Sequence, residues 1–237
     1  MESSAQTTLC SSPSRTLVIM AKAPKPGAVK TRLMQSLPSP AVTALYRCLL
    51  ADTLALAKSL SGVEVAVMCP AADRGELAQF VGNGAQVLAQ RGTGLAAGLD
   101  SVFQHFTAAG RRQVIAFNSD SPHLAPSVLY GAFETLSTHD VVVGPTHDGG
   151  YYLVGAKDAH TSLFDGDGMG TGSALERLLA RTKALELSTG FTETFYDIDI
   201  ANDLVQLARE LELAPAKAPR TAAWFGEWQQ AVAQLRR

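Results

Sequence analysis

The chain has 237 residues, 46% of them hydrophobic and 18% charged, which is enough apolar mass for one large domain with at most a small appendage. Its formal net charge of −2 excludes a generic nucleic-acid or membrane-surface binder, so neither nucleic acid nor membrane is expected among its partners. Cys10, Cys48 and Cys69 show no CxxC or metal spacing. They read as thiols of a reducing, cytoplasmic compartment, with Cys48 and Cys69 as small core hydrophobes.

In chain order, the polar start MESSAQTTLCSSPSR (1–15) lacks the charged-then-apolar order of a signal peptide and reads as a disordered tail. No apolar run approaches the ~20 residues that span a bilayer. TLVIMA (16–21) is short, β-branched and followed by a Pro/Gly turn, so it reads as a buried strand. Helical spacing follows from Pro40 to Leu60, then a strand at 63–69, a short helix at 72–81, a strand at 85–90 and a helix at 94–110. A fourth strand is expected at 112–117 and a helix at 126–138, opened by proline. Strands follow at 140–145 and 151–156, a helix at 173–182, a weak strand at 184–188 and a helix at 201–213. APAKAPR (214–220) is the one candidate linker, leading to a last helix from about Thr221 to the end, packed on the domain. The expected organisation is therefore a tail over 1–15, a domain over 16–213, and a linker with its helix over 214–237.

Repeated strand–helix alternation with continuously apolar strands predicts an α/β chain with a mostly parallel sheet covered on both faces, a Rossmann-like three-layer α/β/α sandwich. Ligands in open sheets of this kind sit beyond the carboxyl ends of the strands. Attention therefore falls on the loops after residues 21, 90, 117 and 145.

Those loops hold the chemistry-bearing residues. Up to residue 51 the only acid is Glu2, against Arg15, Lys22, Lys25, Lys30, Arg32 and Arg47, whereas acids are frequent from Asp140 onward. Such asymmetry suits a site that holds phosphates on one side and a cation on the other. The loop AKAPKPGAVKTRL (21–33) is neither a Walker A motif nor a G-x-G-x-x-G fingerprint. Its cations, flanking Pro24, Pro26 and Gly27, suit a diphosphate clamp: proline lowers the entropy of ordering, Gly27 lets the backbone approach, and Arg32 binds bidentately. The alternative is a solvated charged loop.

NSDSPHL (118–124) places Asp120 at the end of a buried strand, where a carboxylate is presented to a hard cation such as Mg²⁺ or Mn²⁺, with Ser119 beside it as a phosphate contact. The alternative is a helix cap. In PTHDGGYYLVG (145–155), Asp148-Gly149-Gly150 is a turn signal that a hairpin explains by itself. Functionally, Gly149, Gly150 and Tyr151 would approach an acceptor. Tyr151 and Tyr152 alternate faces, so at most one lines a pocket. His123 and His147 are candidate ligands or bases, although isolated histidines more often fill surface or core positions. In YDIDIANDL (196–204), Asp197 and Asp199 lie two apart and share one side of an extended segment, while Asn202 and Asp203 fall where a helix is capped. GTGLAAG (92–98) and GDGMGTGS (166–173) are glycine-bearing loops suited to closing over a substrate, or plain connections.

Together KAPKPGAVKTRL, NSDSPHL, DGGYYLVG and YDIDIANDL resemble the nucleotide-diphospho-sugar transferase fold of GT-A-like glycosyltransferases and nucleotidyltransferases. They are most similar to a bacterial GT-A-like family carrying K-x-P-x-P-G-x-V-K-T-R-L, G-S-D-S-P, D-G-G-Y and a terminal D-x-D-x-x-x-D-L, often labelled glycosyltransferase, with some members linked to arsenosugar biosynthesis. More distantly the chain resembles 2-phospho-lactate guanylyltransferase and the molybdenum-cofactor nucleotidyltransferases. The resemblance runs from about residue 16 to 213. It implies a nucleotide over the first strands, phosphates on Lys22, Lys30 and Arg32, and a divalent metal on Asp120 with Asp199, or Asp197 as its alternate. Asn118 departs from the family's glycine, MGTGS (169–173) replaces a Trp-Ser-Thr element, and GLAAGL (94–99) lacks the family's charged residues.

Two reactions fit. Glycosyl transfer from a nucleotide sugar to a small-molecule acceptor matches the family label, with Asp148 or His147 as the base for an inverting outcome. Nucleotidyl transfer, with Lys30 and the metal stabilising a polyphosphate, matches the basic loop. Asp120, Lys30 and Asp148 are thus the catalytic candidates. A non-catalytic nucleotide-binding domain is the reading from another class. A phosphatase is disfavoured, because the position after the first strand holds lysine and proline rather than a nucleophilic aspartate. A homodimer is compatible with the sequence.

Overall fold

The protein's structure, a computed structural model, describes residues 15–164 and 173–235. The expected tail apart from Arg15, which opens the first strand, lies outside these residues with Cys10 and nearly all of GDGMGTGS. β1 (Arg15–Met20) runs into a loop and then α1 (Ser39–Lys58), followed by β2 (Val63–Cys69), α2 (Arg74–Val81), β3 (Gln86–Ala89), α3 (Gly94–Ala108) and β4 (Gln113–Phe117). Next come α4 (Pro126–Thr138), the hairpin of β5 (Val141–Pro145) and β6 (Tyr151–Ala156), α5 (Ala174–Ala184), β7 (Thr189–Phe191) and α6 (Ala201–Leu213). α7 (Pro219–Glu227) and α8 (Gln229–Leu235) complete the described chain.

The seven strands form one sheet in the order β3-β2-β1-β4-β6-β5-β7. β1 pairs in parallel with β2 and β4, β2 with β3, and β5 with β7, while β6 runs antiparallel between β4 and β5. The α/β sandwich expected from the alternation is the observed fold. Period-two side chains explain why helices cover both faces. Leu17 and Ile19 of β1 join Phe117 and Phe133 in one core, and Val18 between them joins Phe103, Ala116 and Val154 in the other. From β1 the sheet grows toward β2 on one side and β4 on the other, so the loops leaving β1 and β4 part over a crevice at the carboxyl ends of the strands.

Three features differ from the sequence expectation. The segment expected as a weak strand at 184–188 is the last residue of α5 and a loop; Glu186 takes a left-handed φ of 56°, and the strand lies one step later, where Thr189 pairs with Val141. Asp140 fixes that register, its Oδ2 accepting the Ser188 N–H at 2.9 Å and the Ser188 hydroxyl at 2.5 Å. The last helix is two helices, broken at Trp228 just after Gly226, a poor helix former. And α1, with 20 residues, is long and apolar enough by length and composition to cross a membrane. Its apolar sides are instead packed on both the sheet and the carboxyl-terminal helices: Tyr46, Leu50 and Leu54 face the sheet core, while Leu45 and Leu49 face Leu207 and Trp224. Cys69 is buried as expected, whereas Cys48 is half-buried.

The carboxyl-terminal helices rest on α1. The buried Asp52 carboxylate accepts the Thr221 N–H at 2.8 Å, the Thr221 hydroxyl at 2.9 Å and the Arg220 guanidinium at 3.2 Å. The Trp224 indole donates to Ala41 O at 3.1 Å. A carboxylate at the first turn of α7 both caps the helix and complements its dipole.

Candidate functional site

Over the crevice lies a cavity of about 940 Å³, a size that accommodates a small-molecule cofactor or substrate. Its walls divide by chemistry. One half is neutral, formed by Met20, Ala21, Met68, Pro70, Ala71, Ala72, Gln90 and Gly92–Leu95; the other carries Lys22, Lys30, Arg32, Ser119, Asp120 and Asp199.

The loop after β1 supplies the cations. Its shape depends on hydrogen bonds that ordinary spacing rules do not show. Tyr46 of α1 accepts the Lys22 N–H at 3.1 Å and shares a hydrogen bond with Ser119 Oγ at 3.1 Å, tying the end of β1 to the end of β4. Thr53, also on α1, donates to Ser119 O at 3.2 Å. On the β2 side, Asp73 accepts the Ala23 N–H at 3.0 Å and Lys25 Nζ at 2.6 Å. Lys25 is therefore spent on bracing the loop. Pro24 is buried, and Gly27 takes φ 78°, a left-handed turn that glycine adopts freely. Both shape the loop without lining the cavity.

Lys30 turns back under the loop with a left-handed φ of 48°, uncommon for a residue with a side chain. Its ammonium donates to Asp120 Oδ2 and, at 2.7 Å, to Asp199 Oδ1. Arg32 is more exposed and reaches within 3.6 Å of Asp199 Oδ2. Asp120, Asp197 and Asp199 offer one oxygen each, all within 4.8 Å of one another. Ile198 between the latter two is buried against α1 and α6, which turns both acids away from that core; Asp199 lines the cavity and Asp197 lies beside it in the carboxylate cluster. Asp203 holds this segment rigid, its Oδ2 accepting the Asp199 N–H at 2.9 Å and the Ile200 N–H at 2.8 Å.

Three carboxylates around one ammonium leave excess negative charge in a buried place. Burial opposes the Lys30 charge, but Asp120 and Asp199 outweigh it and push its pKa up. Burial, with Asp120 adding like-charge repulsion, pushes Asp197 up to about 7. Asp199 is held down despite its burial, because Lys30 and Arg32 favour its charged form. Asp120 is 8% exposed, and its Oδ1 has no hydrogen-bond partner among the described residues. A buried carboxylate oxygen without a donor, beside two further carboxylates and a seated ammonium, fits a hard divalent cation such as Mg²⁺ or Mn²⁺. Asp120, Asp197 and Asp199 are the residues that could hold it.

The loop after β3 completes the neutral half. Gly92 and Gly94 take φ 73° and 84°, and their carbonyls accept from the Gln90 side-chain amide at 3.3 and 3.0 Å.

The acceptor candidates lie apart from these walls. Asp148 Oδ1 accepts the Thr146 hydroxyl at 2.5 Å and the Gly150 N–H at 3.1 Å, a self-capped turn, and Gly149 O accepts the Leu175 N–H at 3.0 Å. Asp148 is exposed, close enough to Asp197 to raise its pKa, but not in the cavity wall. Tyr151 packs toward the core under α3 and α5, and Tyr152 lies in the opposite core with its hydroxyl on Thr192 at 2.6 Å. His123 is buried between Phe195 and Tyr196 at ring distances of 4.8 and 4.7 Å, with both ring nitrogens unpartnered among the described residues. Burial, with Lys217 adding repulsion, drives its pKa down to about 3. His147 is exposed, and its backbone N–H donates to Phe195 O at 3.2 Å.

Sequence reading thus missed Tyr46, Thr53, Asp73 and Gln90 as supports of the site. Asp203 alone carried a signal, its spacing behind Asp199 at a helix start.

The fold matches solved structures. A candidate nucleotide-diphospho-sugar transferase from Desulfovibrio desulfuricans G20 is 25% identical, with a TM-score of 0.85 over 94% of this chain and 98% of that one. A nucleotidyl transferase from Methanothermobacter thermautotroptrophicus is 16% identical, with a TM-score of 0.57 over 84% of this chain and 98% of that one. 4-Diphosphocytidyl-2C-methyl-D-erythritol synthase from Anaerococcus prevotii DSM 20548 is 10% identical, with a TM-score of 0.54 over 84% of this chain and 97% of that one. At those two lower identities the likeness concerns the fold alone. No curated protein matches the chain. A family model matches residues 53–171, and the chain belongs to that family, described as an uncharacterized protein conserved in bacteria, DUF2064.

Proposed function

We propose that the chain is a metal-dependent transferase that takes a nucleotide-sugar donor. The observation that carries this reading is the division of the cavity. A neutral half bounded by Met20, Met68, Pro70 and Gln90 suits a base and ribose, and a charged half with Lys22, Lys30, Arg32, Asp120 and Asp199, backed by Asp197, suits a diphosphate with its cation. The likeness to the Desulfovibrio protein, over nearly the whole of both chains, supports the same class.

In this reading Lys22 and Arg32 bind the diphosphate at the cavity mouth, and Lys30 approaches it from within. Asp120, Asp197 and Asp199 hold the divalent cation. When bound, that cation supplies charge stabilisation to the departing diphosphate. The anomeric carbon–oxygen bond to the diphosphate breaks, the acceptor oxygen bonds to the anomeric carbon, and the acceptor's proton leaves to a base. Tyr46 and Ser119 act earlier, by keeping the two strand ends at a fixed separation.

One observation favours nucleotidyl transfer as a second reading. Of the two bases expected for an inverting glycosyl transfer, Asp148 is bonded into its own turn, and neither it nor His147 lines the cavity. Attack by a substrate phosphate on a nucleotide's α-phosphorus, with pyrophosphate leaving, requires no such base. The two reactions differ in the product released. Incubation with Mg²⁺, a panel of sugar nucleotides and nucleoside triphosphates, and a panel of small-molecule alcohols and phosphomonoesters as acceptors, read by anion-exchange chromatography, tests them: acceptor-dependent nucleoside diphosphate from a sugar nucleotide supports glycosyl transfer, acceptor-dependent pyrophosphate from a triphosphate supports nucleotidyl transfer, and neither product with any donor–acceptor pair counts against both.

A further inference from the structure

The Lys30 ammonium lies among the carboxylates that could hold the cation. It takes Asp120 Oδ2 and Asp199 Oδ1, two of the three carboxylates offered to the metal, in a place where the lysine side chain is 7% exposed. Those lone pairs point at one position, and an ammonium and a divalent cation cannot share it. Asp120 Oδ1 meanwhile stays buried without a donor, so the lysine satisfies the cluster only in part.

We infer that Lys30 is an internal counterion that occupies the cation's place in the nucleotide-free protein, and that a bound polyphosphate draws it off, so metal and nucleotide bind cooperatively. The inference rests on the metal-and-nucleotide reading above and adds its order of assembly. Lys30 is positioned for both states. It lies in the wall of the cavity alongside Lys22 and Arg32, so phosphate oxygens arriving there offer its ammonium replacements for the aspartates it gives up. Its left-handed backbone sets the side chain inward and is held by the structure around it, Leu33 N–H donating to Lys30 O at 3.0 Å. Without nucleotide, no phosphate offsets the loss of the lysine's two ionic bonds, and the metal competes against a tethered cation. With nucleotide the competitor is removed. Two ligands that each favour the lysine-released state favour each other by an equal factor.

A lysine that merely adds positive charge nearby would also weaken metal binding, so the test separates occupancy from general electrostatics. Mn²⁺ alone is titrated calorimetrically into wild type, Lys30→Met, Lys30→Gln and Arg32→Met. Occupancy predicts about a 10-fold gain in Mn²⁺ affinity for both Lys30 variants and less than about threefold for Arg32→Met, within the usual range of coupling factors. Equal affinities for wild type and the Lys30 variants, or equal gains for all three variants, overturn it. In EDTA, inorganic pyrophosphate binds Asp120→Asn more tightly than wild type, because Lys30 is released, and adding Lys30→Met erases that gain. A gain that persists in the double variant overturns the proposal. If no variant binds Mn²⁺ with or without pyrophosphate, the metal site itself is refuted and the counterion role with it, a result distinct from unchanged affinity at a working site.

Discussion

Asp73 and Lys25 join the loops that leave β2 and β1, Lys25 Nζ donating to Asp73 Oδ1 at 2.6 Å while Asp73 Oδ2 holds the Ala23 N–H. The basic loop is therefore anchored from the start of α2, an element that contributes no charge to the cavity. Asp73→Ala, which removes the acceptor of the Ala23 N–H as well as the ion pair, loosens the loop and weakens nucleotide binding about fivefold to tenfold. Lys25→Ala changes it less than about twofold, since an exposed ion pair contributes little. Lys22→Ala and Arg32→Ala, whose side chains face the cavity, each cost more than Lys25→Ala. Titration of the four variants with one sugar nucleotide checks the ranking.

The carboxyl-terminal helices depend on Asp52. Removing a buried carboxylate that accepts from Arg220 and Thr221 leaves their donors unpaired, and Asp52→Ala costs about 2–4 kcal/mol. Urea denaturation measures the loss. The emission of Trp224 and Trp228 shifts to the red at lower urea if α7 leaves α1 first.

Gly155 sits where no side chain fits. A Cβ there would lie 2.8 Å from both the Ile115 and Val142 side chains and 3.1 Å from Val114 O, in the centre of the sheet. Gly155→Ala destabilises by about 1–3 kcal/mol, the range for overpacking a close-packed core, without reaching the cavity. Thermal unfolding with unchanged nucleotide affinity for the folded protein is the expected pair of results.

Most of the sheet was legible because its strands are short apolar runs separated by helical spacing, and β2, α4 and β6 fall at the expected residues. The strand at 184–188 misled because Leu185 and Leu187 alternate for too few residues, while the pairing is decided by Asp140, whose bonds to Ser188 are tertiary. At the site, Asp120 and the basic loop stood out as charge at strand ends, and Asp197 and Asp199 by their spacing of two ahead of a helix. Asp73 and Tyr46 did not: each acts through hydrogen bonds to backbone distant in sequence, and neither residue type nor spacing encodes such a partner. Asp148 illustrates the converse, a suggestive motif whose carboxylate closes its own turn.

His123 makes stability fall in acid. Its folded pKa of about 3 lies below the ordinary 6.5, so the unfolded chain takes up a proton that the native chain refuses. Stability from this group is complete above pH 6.5 and is lost as pH falls toward 3, at about 1.4 kcal/mol per pH unit. Between pH 8 and pH 5 that amounts to about 2 kcal/mol. His123→Leu, which keeps the ring-packing site apolar, flattens the dependence by that amount in urea titrations at the two pH values. An unchanged slope would place the acid sensitivity elsewhere.

The measurement closest to the central claim is calorimetric binding of a panel of nucleoside diphosphate sugars, with and without Mg²⁺, to wild type and Asp120→Asn. At least one sugar nucleotide is expected to bind wild type in a Mg²⁺-dependent manner, with affinity falling at least about tenfold in Asp120→Asn, since the carboxylate with the unpartnered oxygen is the one removed. Binding indifferent to both Mg²⁺ and the substitution, or no binding across the panel, would contradict a metal-dependent nucleotide-sugar site at the carboxyl ends of β1 and β4.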